Sequence, residues 1–145
     1  MGTRVVLVSC VKKKGKTDAP AKNLYTSQLF RGMRRYAEQS AGAWYILSAK
    51  YGLLRPDEVV APYEQTLNAM PKADRLAWAG RVQQALLMLL PAGAEVVILA
   101  GKRYRENIVP FLERHGFAVT VPMAGLAFGS QLRWLKEHVR GEDRV

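Results

Sequence analysis

Four short, β-branched runs separated by amphipathic stretches set the tightest limit on how this chain can fold. Val5 to Val8, Trp44 to Leu47, Val96 to Ala100 and Phe117 to Val121 are brief, and rich in Val, Ile and aromatic residues. They read as buried strands rather than helices. Between them the apolar spacing changes to that of a helix. Leu29, Met33, Tyr36 and Ala37 share one face of a helix from about Ser27 to Gln39. Leu76, Ala79, Val82, Leu86 and Leu90 share a face of a longer helix that Pro71 opens. Tyr104 to Arg114 is a shorter helix in which Pro110 predicts a kink or early end. Gln131 to Val139 is the last, with Leu132, Leu135 and Val139 turned inward and Gly141 as its stop. Trp44, Trp78 and Trp134 fall on these patterns as core residues. Strand–helix alternation with right-handed crossovers predicts one α/β domain over residues 1–140, followed by a loose tail at 141–145. Its sheet is expected to be mainly parallel and four-stranded, with helices on both faces.

Composition narrows the classes of function. The chain has 145 residues, 49% of them hydrophobic, enough for one core and too few for two domains. No apolar run is long enough to span a bilayer, and no signal-peptide pattern precedes the first strand. A single cysteine fits a reducing, cytoplasmic setting. The formal net charge of +10 predicts a polyanionic partner, DNA or RNA before any membrane surface.

In open, doubly wound sheets of the Rossmann-like kind, ligands bind beyond the carboxyl ends of the strands. All four predicted ends run into small residues and then polar or basic ones. They read Ser9-Cys10-Val11-Lys12-Lys13-Lys14, Ser48-Ala49-Lys50-Tyr51-Gly52, Gly101-Lys102-Arg103-Tyr104, and Met123-Ala124-Gly125 running on to Gly129-Ser130. Small residues admit a ligand to the backbone. A shared electropositive site lined by Ser9, Ser48, Gly101 and Gly125 is therefore expected.

The second strand leads into a long, polar, proline-punctuated stretch from Lys50 to Glu64, an unusual length for a compact domain unless it binds or reacts. Tyr51 and Tyr63 are placed to stack a base while lysines take phosphates; Tyr25 reads better as a loop anchor. Asp57, Glu58 and Glu64 either pair with Arg55 and Lys50, or orient a water or stabilise a cationic sugar at a glycosidic bond. Lys50 is an alternative nucleophile, attacking the sugar carbon as an amine. Cys10 to Thr17, CVKKKGKT, nearly matches a phosphate-binding P-loop. Its leading glycine is replaced, and Asp18-Ala19-Pro20 follows where a helix should continue, so hydrolysis of that kind is set aside. The lysines read instead as a basic flap against a phosphate backbone, or as a solvated charge run. One cysteine and two scattered histidines, His115 and His138, assemble neither an acyl-transfer site nor a zinc site. No metal or cofactor is expected.

The run Lys50-Tyr51-Gly52-Leu53-Leu54-Arg55-Pro56-Asp57, followed by Pro62-Tyr63, resembles the central motif of the YaaA peroxide-stress family. It is similar again to a group of small bacterial domains carrying VSC-x-K-x-K, LYTS-x-LF, LSAK-[YH]-GL and PY-x-x-TL segments. Here these are Val8 to Lys14, Leu24 to Phe30, Leu47 to Leu53, and Pro62 to Leu67. A similar strand end occurs in a domain of archaeosine synthases whose fold looks like uracil-DNA glycosylase. The resemblance implies DNA association, a part in limiting oxidative DNA damage, and the handling of a base. Carried over, it implies a site of Ser9, Cys10, Lys12, Ser48, Lys50, Tyr51, Gly52, Tyr63 and Glu64.

Together these observations predict a protein that binds DNA or RNA at the strand-end rim and acts on a base or glycosidic bond. Lys12, Lys14, Lys50 and Arg103 would hold phosphates, Tyr51 would stack a base, and Glu64 or Asp57 would serve the chemistry. The alternative is an enzyme or sensor for a small nucleotide or nucleotide-sugar using the same rim.

Overall fold

A computed structural model describes residues 3–9 and 15–139. Its main sheet holds β1 (Arg4–Ser9), β3 (Ala43–Ser48), β4 (Gly52–Leu54), β6 (Glu95–Leu99) and β7 (Ala118–Thr120), in the spatial order β4-β3-β1-β6-β7. β1 pairs in parallel with β3 and with β6, and β6 pairs in parallel with β7. β4 runs antiparallel to β3 at the edge. The sheet is therefore mixed and mostly parallel, with five strands where four were expected. The fifth escaped the pattern because Gly52-Leu53-Leu54 is too short to show any alternation.

β1 lies at the centre, and Val5, Val6, Leu7 and Val8 are all buried. A strand covered on both faces has no polar side, which is why it reads as an unbroken apolar run. Helix α2 (Gln28–Ser40) begins where the Ser27 side chain accepts a hydrogen bond from the Phe30 N–H. It buries Phe30, Met33, Tyr36 and Ala37. Leu29, expected in the core, is only half-buried. Helix α3 (Lys72–Leu89) follows Pro71 and buries Trp78, Ala79, Val82 and Leu86. Leu76 is 48% exposed instead of facing the core, a position Trp78 takes. The expected kink at Pro110 is a full break. α4 (Lys102–Arg105) stops, and α5 (Val109–Arg114) restarts with the proline in its first turn, where the missing N–H costs nothing. Helix α6 (Phe128–His138) packs on α2, with the Trp134 ring 5.2 Å from that of Tyr36. No described helix is long and apolar enough to cross a membrane.

The long stretch after β3 is not a free excursion. It includes β4 and β5 (Val59–Val60), and β5 pairs antiparallel with β2 (Ala19–Pro20). Short helix α1 (Ala21–Leu24) adds two more ties, from the Ala21 N–H to the Glu58 carbonyl at 2.8 Å and from the Lys22 N–H to the Pro56 carbonyl at 2.9 Å. These backbone bonds hold the stretch from both ends. The turn between β3 and β4 depends on Gly52, whose φ is +78°. A Cβ there would meet only Val82 at an ordinary 3.9 Å, so the obstacle to a side chain is backbone conformation alone. Gly52→Ala is expected to lower stability by about 1–2 kcal/mol, measured by urea denaturation.

Candidate functional site

Counting the parallel strands in chain order, the sheet reads second, first, third, fourth. The order reverses between β1 and β6, and a crevice opens at such a reversal beyond the strand ends. A cleft of about 730 Å³ lies there. Ser9 ends β1 beside it, Leu99, Ala100 and Gly101 continue β6 along it, and Met123 and Gly125 follow β7. Leu29 and Met33 of α2 form an apolar wall, which explains the partial exposure of Leu29. Lys102 and Arg105 supply positive charge, and Glu64 is the one carboxylate among the lining residues. The Arg105 guanidinium also donates to the Ala100 carbonyl at 2.8 Å, which fixes it against the end of β6.

A smaller hollow of about 450 Å³ adjoins the cleft and is lined by Lys50, Arg81, Asp74 and Trp78. Glu64, Gln65 and Thr66 line both spaces, so one short segment of backbone is their shared wall. Thr66 caps the 3-10 turn Leu67–Ala69 by accepting from the Asn68 N–H at 3.3 Å. The Tyr104 hydroxyl braces that turn from α4, 3.4 Å from the Leu67 N–H and 3.5 Å from the Thr66 hydroxyl.

The expected convergence therefore holds for Ser9, Gly101 and Gly125, which share the large cleft with Glu64. Ser48 is fully buried and lines neither space. Its hydroxyl donates to the Tyr63 hydroxyl at 2.8 Å and accepts from the Tyr51 N–H at 3.1 Å. Tyr63 is buried as well and lies 2.6 Å from the Tyr25 hydroxyl. Buried hydroxyls bonded to one another form a satisfied network, and this one fixes the end of β3 against the loop. Tyr25 is thus a core anchor. Tyr51 packs edge-on against Tyr63, donates its hydroxyl to the Ala61 carbonyl at 3.0 Å, and has the Lys50 ammonium 5.3 Å from its ring centre. Gly52 shapes the turn beneath them. Asp57 pairs with Lys22 at 2.8 Å and Arg103 with Glu106 at 3.5 Å, and neither lines either space. Cys10, Lys12 and Lys14 lie outside the described residues.

Several lining residues were not singled out from sequence: Arg105, Thr66, Gln131 and Asn68 among them. Of the Gly101-Lys102-Arg103 motif, Gly101 and Lys102 line the cleft and Arg103 does not. Both histidines bond backbone carbonyls on their own helices, His115 to Phe111 and His138 to Trp134, away from the cleft. Among the described residues no group of three or more His, Cys, Asp or Glu side chains is placed to hold a metal ion.

Comparison with known proteins agrees with this compact unit. Over 123 residues the chain is 31% identical to the uncharacterized protein YfjM of Bacillus subtilis (strain 168), covering 77% of this chain and 79% of that one. Over 112 residues it is 30% identical to a UPF0246 protein of Lactiplantibacillus plantarum, covering 64% of this chain. The match spans only 44% of that relative's length. The similarity makes the chain a distant relation of the UPF0246/YaaA family. The profile of a family of unknown function, DUF6884, matches residues 5–137, nearly the whole fold described above, and the chain belongs to that family.

Proposed function

We propose that this protein binds nucleic acid in the manner suggested by its YaaA relationship, taking a nucleotide unit of DNA or RNA into the strand-end cleft. The observation that carries this is the character of the cleft at the switch point: apolar walls, two cations and a single carboxylate in about 730 Å³. Apolar walls accept a base, Lys102 and Arg105 accept a phosphate, and Glu64 faces the space between. The chain's net charge of +10 supplies long-range attraction to a polyanion.

Catalysis at a base or N-glycosidic bond belongs to the same proposal. Glu64 is the carboxylate in place to stabilise a sugar cation or to orient an attacking water. Lys50 stands across the shared wall, in the lining of the smaller hollow. Asp57, tied to Lys22, takes no part. A uracil-DNA-glycosylase-like sheet arrangement, a role in DNA damage or stress, and a cytoplasmic setting complete the proposal. The size and apolar lining of the cleft favour one second reading, a free nucleotide or nucleotide-sugar as the ligand.

A filter-binding titration tests the first reading. Affinity for single-stranded DNA is expected to fall with a log–log salt slope of about −0.7 per phosphate contact, hence about −1.4 for the contacts of Lys102 and Arg105. A flat response refutes it. A thermal shift with free nucleotides and none with oligonucleotides selects the second reading.

A further inference from the structure

We infer that the smaller hollow is a second nucleotide subsite, so that the ligand is a single-stranded segment of at least two consecutive units. The inference rests on the function proposed above and names its substrate class more narrowly. Three observations carry it. Glu64, Gln65 and Thr66 line both spaces, so only one chain's thickness separates them. That is about 5 Å by the spacing of neighbouring backbones, comparable with the ~3.4 Å step between stacked nucleotides and the longer step of unstacked ones.

Among the described residues the charges of the hollow are also free of ion pairs, Lys50 resting only over the Tyr51 ring at 5.3 Å. Lys50, Arg81, Glu64 and Asp74 take part in none of the ion pairs among the described residues, and none of their side chains forms a hydrogen bond there. By contrast, Asp57, Arg103 and Glu106 are each engaged by a neighbour. Two cations beside two carboxylates give no net field to draw a bare anion. They do complement a unit that carries both signs of demand, a phosphodiester for Lys50 and Arg81 and base N–H donors for Glu64 and Asp74. Carboxylates accept from the exposed amino groups of bases, and unpaired bases offer those edges freely.

The floor is rigid. Trp78 is 2% exposed, and its indole N–H donates to the Ser48 carbonyl at 2.8 Å. Lys50 therefore rises from a turn pinned to α3, on the helix that also carries Asp74 and Arg81. The subsite is held at a fixed position relative to the cleft, as joint occupation by linked units requires. Linkage makes the second contact intramolecular and multiplies affinity without any new site.

Isothermal titration of the full chain tests this with three probes: the four deoxynucleoside monophosphates, random-sequence single-stranded dinucleotides, and random-sequence tetranucleotides. Dinucleotides are expected to bind at least tenfold more tightly than monophosphates, with less than a further threefold gain for tetranucleotides after correction for the number of registers. In Arg81→Glu the dinucleotide-to-mononucleotide ratio is expected to collapse to within twofold. Thermal denaturation of that exposed-site variant confirms that it is folded. Equal affinity for mono- and dinucleotides in the wild type overturns the second subsite while leaving the proposed function standing. A ratio that survives Arg81→Glu overturns it too. Failure of every probe to bind overturns the proposed function along with it.

Discussion

Trp78→Ala is expected to lower stability by about 3–5 kcal/mol, the range for truncating a large buried aromatic. The residue is 2% exposed and packs edge-on against Tyr104, ring centres 5.8 Å apart. It thereby joins α3 to α4, the helix that carries Lys102 and Arg105. Its indole N–H also donates to the Ser48 carbonyl at 2.8 Å, at the point where β3 turns away from the sheet. Removing the ring leaves a cavity and takes the indole donor from the Ser48 carbonyl at once. Against a total of roughly 5–15 kcal/mol for a domain, this is a large share. At about 2–4 °C per kcal/mol, the thermal midpoint should drop by roughly 6–20 °C. Trp78→Phe separates the two effects. It keeps most of the packing and loses only the donor, so about 1–3 kcal/mol is expected. Equal losses in the two variants would mean that the hydrogen bond, not the ring, holds the turn. A loss under 1 kcal/mol for alanine would show that α3 does not anchor this end of the sheet.

The elements that were legible in the sequence are those whose physics is local or whose burial is two-sided. β1 announces itself because Val5 to Val8 face helices on both sides and need no polar partner. Pro110 marks a break because its ring and missing N–H act within one turn, and the chain does break between Arg105 and Val109. Gly101 and Gly125 follow apolar runs in the sequence, and both line the cleft beyond the strand ends. β4 and β5 were not legible. Three and two residues carry no periodicity; β4 folds back on the neighbouring Ile46-Leu47-Ser48, and β5 depends on Ala19-Pro20, distant in sequence.

The site residues divide along the same line. Ser48 reads as a small polar residue at a strand end and Tyr63 as a loop aromatic able to stack a base, yet their hydroxyls bond each other inside the core. Sequence cannot tell a hydroxyl that faces a ligand from one that faces another hydroxyl, because the difference lies wholly in tertiary packing. Arg105 and Gln131 show the converse. Both look like solvated helix residues, and both reach the cleft only because α4 and α6 begin at its rim. Glu64 was legible as an acidic residue out of place on a basic chain, but its position in the wall between two spaces was not. That position follows from the clamp on both ends of its loop, formed by β2 with β5 and by Tyr104 under the 3-10 turn.

Lys102→Glu is expected to weaken single-stranded DNA binding by roughly 10–100-fold at low salt and to flatten the salt slope by about 0.7, one lost single-strand phosphate contact. The cleft holds Lys102, Arg105 and Glu64, so reversing one charge turns a net +1 among its charged lining residues into −1. Two unit charges near an anion at partly screened range account for a change of this size, with an interaction of up to about 4 kcal/mol each at contact and an effective dielectric of 20. Lys102 is exposed and belongs to no ion pair among the described residues, so stability should change by less than about 0.5 kcal/mol. Arg114→Glu is the matched control. It changes the net charge equally, but it lies at the end of α5, just before β7 begins and hence toward the opposite end of the sheet from the cleft. A loss under threefold is expected there, because charges beyond a Debye length of about 8–10 Å are largely screened. Equal losses for Lys102→Glu and Arg114→Glu would mean that the polyanion reads only overall charge. The cleft would then have no part in binding it.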